Sequence, residues 1–204
     1  GSNVLVVTTA PNRLLPERLA EAHAAFADIL APLPVPRIAV LVGGNGRHHR
    51  FTDADINRFL GGLHAKLEDG CGLMITTSRR TPAPLAKALA GLGNRPGVHL
   101  WDGTGKNPLL AYLAWADEIV VTADSTNMVG EAAALGVPIQ LFYPSGGHPK
   151  IDSMIAALSQ EAVIGRFPEK AAHGHASPVN STPGLAEEIL KRWRLSKARP
   201  ARPS

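Results

Sequence analysis

The chain has 204 residues, 45% of them hydrophobic and 19% charged, with a formal net charge of +4. That balance suits a soluble globular chain of one large or two small domains. No apolar run approaches the roughly 20 residues needed to span a bilayer, and the single cysteine, Cys71, excludes an internal disulfide. The positive balance does not point to nucleic acid. Lys191, Arg192, Arg194, Lys197, Arg199 and Arg202 lie in an acid-free tail, and the rest of the chain is slightly acidic. With two Tyr and five Phe in the whole chain, there is no aromatic platform on which bases could stack.

Gly1-Ser2 reads as the scar of tag removal. Asn3 to Thr8 (NVLVVT) reads as a strand, which leaves no signal peptide and points to a cytoplasmic protein. A helix is expected from about Glu17 to Leu30, then a stiff Pro32-Pro34-Pro36 connector. Ile38 to Val42 is a buried strand running into Gly43-Gly44-Asn45-Gly46-Arg47-His48-His49-Arg50. Thr52 or Asp53 can cap the next helix, whose inner face carries Ile56, Phe59, Leu60 and Leu63. Cys71 opens the strand Leu73-Met74-Ile75, where a buried, inert thiol is expected. That strand ends in Thr76-Thr77-Ser78-Arg79-Arg80, and Thr81-Pro82 opens a helix.

Val98 to Trp101 is a short strand leading to Asp102-Gly103-Thr104-Gly105-Lys106-Asn107-Pro108. A helix through Leu109 to Ala116 precedes Glu118 to Leu141, the stretch around which the chain is organised. There Ile119-Val120-Val121 is a strand and Thr122 to Ser125 a polar turn, with Asp124 or Ser125 suited to cap a helix from Thr126 to Leu135. Gly136 ends that helix in a left-handed conformation, and Val137 to Leu141 returns as a strand. The unit is one βαβ crossover of about 25 residues. A Gly-rich turn, Pro144 to Lys150, and an amphipathic helix to about Leu158 follow. Gly165 to Val179 reads as loop, Pro183 to Trp193 as a last helix, and residues 195–204 as a disordered basic tail.

Alternating strands and helices, with strands apolar on both faces, define the fold class as α/β. The expectation is a Rossmann-like parallel sheet with helices on both faces, occupying residues 3–194 as one domain. Polar and glycine residues gather after five strands (GGNGRHHR, TTSRR, WDGTGKN, TADSTN and YPSGGH). In an open parallel sheet ligands bind at the carboxyl ends of the strands, so these loops are expected to converge on one cleft. The helix start at Ser125 offers free N–H groups and a positive dipole end to a phosphate. Asn127 and Glu131 share a face below it, where a carboxylate can accept two hydrogen bonds from a ribose diol; a plain capped helix with Glu131 in water is the alternative.

Gly43, Gly44, Asn45 and Gly46 lack both the GxGxxG spacing and the P-loop GK[ST] ending, but their backbone can approach a phosphate, with Arg47 and Arg50 alongside. Arg79 and Arg80 could neutralise a diphosphate or simply be solvated. His48-His49 and His173-Gly174-His175 lack partners at metal-ligand spacing, so no metal is expected. Ser78, Ser125 and Ser145 lack a nucleophile elbow.

The segments LVGGNGRHHRFT (41–52), MITTSRRTP (74–82), LWDGTGKNP (100–108) and VVTADSTNMVGEAAALGVPI (120–139) resemble the mitochondrial-fission ELM-like family. GGHPKIDSMIAALS and SPVNSTPGLAEEIL are also similar, so the resemblance covers nearly the whole chain. It implies the C-terminal, donor-holding half of a two-domain GT-B glycosyltransferase fold, with an N-terminal acceptor domain before Asn3. Glu131 would then meet the ribose diol, and Ser125, Asn127 and Met128, beside Asp124, the diphosphate. Gly44 and Arg79 would face the phosphates, and the loop around Trp101-Asp102-Gly103 the base; Gly43, Asn45, Arg47 and Ser78 complete the candidate site.

A nucleoside-diphosphate (NDP) sugar is the expected donor, with no covalent cofactor and no assigned catalytic residue. A peripheral membrane or lipid-linked acceptor stays open as a partner. Two other readings stay open beside a glycosyltransferase. One is a non-hydrolysing NDP-sugar epimerase with Asp102 and Asp124 as its only acid/base carboxylates. The other is a non-catalytic fission-type adaptor that keeps the fold.

Overall fold

The computed structural model describes residues 4–169, 174 and 177–198. Six strands form one parallel sheet: β1 (Arg37–Val42), β3 (Gly72–Thr77), β4 (Val98–Leu100), β5 (Glu118–Thr122), β6 (Ile139–Phe142) and β8 (Ile164–Arg166). Their order is β4-β3-β1-β5-β6-β8, and every pairing is parallel. The Rossmann-like parallel sheet expected from the sequence is the fold observed.

Strand periodicity explains why both faces are buried. Along β1, Ile38, Val40 and Val42 enter one core and Ala39 and Leu41 the other. On the first face lie α3 (Asp53–Glu68) and α4 (Ala83–Gly93), contributing Phe59, Leu63, Leu85 and Leu89. The opposite face is covered by α1 (Pro16–Ala25), α2 (Ala27–Leu30), α5 (Leu109–Trp115), α6 (Thr126–Ala133) and α7 (Pro149–Leu158). Each fully buried Leu, Ile or Val contributes about 1.5–3 kcal/mol of transfer free energy. The strands Ile38–Val42 and Leu73–Ile75 are at most 1% exposed throughout.

From β1 the chain winds outward through α3, β3, α4 and β4. Helix α5 then returns it to β5 on the other side of β1, and α6, β6, α7 and β8 wind the opposite way. The reversal falls between β1 and β5, so the loops after these two strands flank the crevice that such sheets use for ligands.

Several segments differ from the sequence expectation. Residues 4–8 form no strand: Val4, Val6 and Val7 are 63%, 93% and 39% exposed. The sheet ends in β4 and β8, and the chain start is fastened instead to residues 180–182. The Thr9 and Ser181 side chains and amides bond reciprocally, and the Asn12 amide nitrogen donates to the Thr182 hydroxyl. A β-branched apolar run alone does not make a strand without a ladder partner. Asn3 lies outside the described residues.

The expected helix over 17–30 breaks at Phe26 into α1 and α2. The stretch read as loop from Gly165 contains part of β8, whose three residues are too few to show a period and gain their structure by pairing with β6. The last helix, α8 (Thr182–Ala198), runs through residues 195–198, expected to be disordered; residues 199–204 lie outside the described set. Two of the polar loops also pair, as the antiparallel ribbon β2 (His49–Arg50) and β7 (Ser145–Gly146).

Among the described residues no helix is long and apolar enough to cross a membrane. Cys71 is buried as expected, and burial raises its thiol pKa.

Candidate functional site

Because all six strands run parallel, the five polar loops leave the same edge of the sheet. The two at the switch point are joined through Asp124. Thr122, the last residue of β5, accepts from the Gly43 amide at 2.8 Å and donates its hydroxyl proton to Asp124 Oδ1 at 2.6 Å. Asp124 Oδ2 accepts from the Gly44 amide and from Arg80 Nη2, each at 3.0 Å. The Asp124 side chain is 1% exposed, while Arg80 keeps 46% of its surface in solvent. A buried carboxylate persists only with such partners.

Asp124 therefore does not cap α6, as the sequence had left open. Its geometry commits Oδ1 to Thr122 at the end of β5 and Oδ2 to the β1 and β3 loops.

The β3 loop closes on the same point. The Thr81 hydroxyl donates to the Gly43 carbonyl at 2.6 Å and accepts from the Ser78 amide. The Ser78 hydroxyl accepts from the Arg80 amide. Asn45 bonds backbone-to-backbone with Arg80, and its Oδ1 accepts from the Phe51 amide. Gly44 is obligatory here, because a Cβ would stand 2.0 Å from the Arg80 carbonyl oxygen. Thr122 and Thr81 are fasteners that nothing in the sequence singles out, and Arg80, expected to face a diphosphate or solvent, is paired with Asp124 instead. For the threonines the only signal was a polar residue closing or following an apolar strand.

Next to this knot is a surface that the protein leaves unsatisfied. Ser125 occupies the N-cap of α6 in an extended conformation, with no side-chain cap. The helix's first backbone bond runs from the Val129 amide to the Ser125 carbonyl. The N–H groups of Thr126, Asn127 and Met128 thus form the open first turn. Asn127 is exposed, and Met128 packs partly on the core.

Glu131, one turn below Asn127, is half-buried, and burial raises its carboxyl pKa. Among the described residues it has no hydrogen-bond or ionic partner. Arg79 and Arg47 are likewise exposed and unpaired among the described residues. The α6 helix yields at Gly136, whose φ of +69° is the left-handed exit expected.

The loop after β4 stands apart. Asp102 Oδ1 accepts from the Thr104 amide and hydroxyl, which holds its pKa below the usual value. Trp101 Nε1 donates to the Thr104 carbonyl, so the loop is folded onto itself. The loop after β6 is tied to β1's by the ribbon. Buried Asp55 accepts from the amides of Thr52 and Ser145, completing the α3 capping box. Burial pushes its carboxyl pKa up, but these bonds prevail and hold it at about 2. Arg58 bridges Asp55 to the Tyr143 carbonyl and lies 4.3 Å from the Phe142 ring centroid. Among the described residues no group of three His, Cys, Asp or Glu is placed to hold a metal ion; His173 and His175 lie outside them.

The chain is similar to the mitochondrial fission protein ELM1 of Arabidopsis thaliana, 30% identical over 93% of this chain and 45% of that protein. An uncharacterised protein, RP120, of Rickettsia prowazekii is 33% identical over 78% of this chain and 48% of its own length. The chain thus spans less than half the length of each. Among solved structures, ADP-heptose LPS heptosyltransferase II of E. coli superposes with a TM-score of 0.50 at 18% identity, covering 93% of this chain and 54% of that one. This likeness, over about half of that protein, shows the fold alone: a Rossmann-like domain of the kind GT-B glycosyltransferases contain. The model of the mitochondrial fission ELM1 family matches residues 1–193, and this chain belongs to that family.

Proposed function

We propose that this chain is the nucleotide-sugar-binding domain of a GT-B glycosyltransferase-like protein. The observation that carries the reading is Glu131, a half-buried carboxylate without a partner among the described residues, set below an uncapped helix start at the switch-point crevice. Desolvating an acceptor without a donor costs stability. A ribose diol supplies two donors at that position, and the open turn of α6 supplies N–H groups and a positive dipole end to the diphosphate. Unpaired Arg79 adds a bidentate cation for the charge that develops on a leaving diphosphate. The part of the protein's relatives that this chain does not span would bring the acceptor and the base. Exposed apolar side chains suited to meeting it gather at Val4, Val6 and Val7 and, on α8, at Ile189, Leu190, Trp193 and Leu195.

The epimerase reading needs free carboxylates at the sugar. Asp124 is buried and committed to Gly44, Thr122 and Arg80, and Asp102 Oδ1 is bonded within its own loop, which counts against that reading.

The test is calorimetry and thermal shift with UDP, GDP, CDP, ADP and their common sugar conjugates, on wild type and Glu131→Ala. The expected outcome is a response to one base family, weakened about tenfold or more in the variant, as for loss of hydrogen bonds to a charged acceptor. Silence across the panel in the full-length protein would favour the adaptor reading.

A further inference from the structure

Helix α8 leaves the body of the protein partway along its length. Its start is fastened to the chain start through Ser181 and Thr182, and Leu185 and Glu188 are half-buried. From Ile189 to Lys197 every residue is exposed. Three large apolar side chains of this free half stand on one line. Ile189, Leu190 and Trp193 are 51%, 50% and 56% exposed, and with Ala186 they follow the i, i+3, i+4, i+7 spacing of a single helix face. Leu195, also exposed, falls on the far side.

Charge is arranged around that stripe. At about 100° of turn per residue, Arg192 and Arg194 fall on its two flanks, and Lys197 continues its line one turn on. Glu188 takes Arg192 at 2.7 Å and Lys191 at 4.0 Å. Arg194 and Lys197 have no partner among the described residues. Beyond Glu188 the sequence carries Lys191, Arg192, Arg194, Lys197, Arg199 and Arg202 and no Asp or Glu. A cation in the last turn suits the helix dipole, but the dipole gives no reason for an exposed Trp between two arginines.

Three side chains are few against the roughly 20 residues a side of a stable protein interface. A protein partner would also have to bring acids to both flanks. An anionic bilayer meets both halves of the pattern at once. Its headgroups spread negative charge over the whole surface. Its interface admits an indole ring with the N–H left in the headgroup layer, and shallow burial of one stripe is enough to hold a helix there.

We propose that the distal half of α8, from Ile189 onward, lies on an anionic membrane surface. Ile189, Leu190 and Trp193 enter the acyl boundary, while Arg192, Arg194 and Lys197 meet lipid phosphates. Contact is peripheral, since no described helix can cross a bilayer. Val6 and Val7 line a separate groove of about 500 Å³ with Ala157, Gly184 and Leu185, and that groove stays available to the part of the relatives that this chain does not span. None of the α8 residues belongs to the candidate nucleotide site, so the proposal stands independently of that reading.

The test is flotation of the 204-residue protein with vesicles of phosphatidylcholine containing roughly one-third phosphatidylglycerol, with pure phosphatidylcholine in parallel. The expected result is binding to the anionic vesicles about tenfold tighter or more than to the neutral ones, weakened by high salt. Tryptophan emission should shift to the blue on binding, and the shift should vanish in Trp193→Phe, which still binds. In Arg194→Gln/Lys197→Gln and in Ile189→Ser/Trp193→Ser affinity should fall about tenfold or more. All four positions are exposed, so both double variants keep the fold, which an unchanged melting temperature checks. Glu131→Ala should bind vesicles as wild type does even where nucleotide binding is gone. No binding, or equal binding to neutral vesicles, would overturn the proposal. So would undiminished binding in either double variant, which would leave Arg199 and Arg202 as the contact. A dimer in sedimentation velocity that Ile189→Ser/Trp193→Ser dissolves would give the stripe to a second copy and overturn it as well.

Discussion

Asp124 and Glu131 stand on the same crossover, one before α6 and one on it, in opposite conditions. Asp124 is 1% exposed and has a donor at every turn: Thr122, Gly44 and Arg80. Glu131 is half-buried and has none among the described residues. A carboxylate whose acceptors are filled holds the fold together; one left unfilled at a cost in desolvation is kept for something that arrives. The polar residues after the strands therefore divide into two kinds, those that fasten the loops and those that face an incoming ligand.

Three substitutions sharpen the contrast. Gly44→Ala should have the largest effect, because its Cβ meets a backbone oxygen that cannot swing away; about 3 kcal/mol of stability should disappear in urea unfolding. Retaining most of the wild-type midpoint would mean that the knot yields and is not rigid. Asp124→Asn comes next. It turns one acceptor into a donor facing either Gly44 or Thr122 and weakens the Arg80 pair, for a loss of about 2 kcal/mol. Amide exchange should accelerate in the loops after β1 and β3 before it does so in the sheet.

The smallest effect should come from Glu131→Gln, and with the opposite sign. Burial raises the folded pKa of Glu131 above its unfolded value. Its ionised form therefore costs stability at neutral pH, and that cost vanishes as pH falls through the folded pKa. The glutamine variant should be more stable than wild type at neutral pH by about 0.5 kcal/mol or less, and the two should converge on acidification. A variant less stable than wild type at neutral pH would show that Glu131 has a partner in solution.

Much of the sheet was legible because each inner strand is apolar on both faces. Ile38–Val42 and Ile119–Val121 could be nothing else in an α/β chain. The open start of α6 and the place of Glu131 were legible too, since both follow from spacing within one helix. The role of Asp124 was not. A carboxylate before a helix is locally a cap, and only the return of Gly44 from far along the chain makes it a fastener.

Long-range pairing also decided β8, the ribbon and the chain start. Three residues of Ile164–Arg166 become a strand because β6 has a free edge. NVLVVT, which has the better pattern, pairs with neither edge strand in its described residues.

The clamp between the chain start and α8 has a consequence for rearranging the chain. Thr9 and Asn12 bond Ser181, Asn180 and Thr182, so the first and last described segments run side by side. A flexible linker long enough to lead from the far end of the 17-residue α8 back to the chain start would add only modest closure entropy. New ends could then open at Gly103 or Gly105, in the exposed loop bonded only within itself. Such a circular permutant would keep every strand pairing of the sheet while its order along the chain began at α5. The architecture is thus separable from the order in which its parts are synthesised.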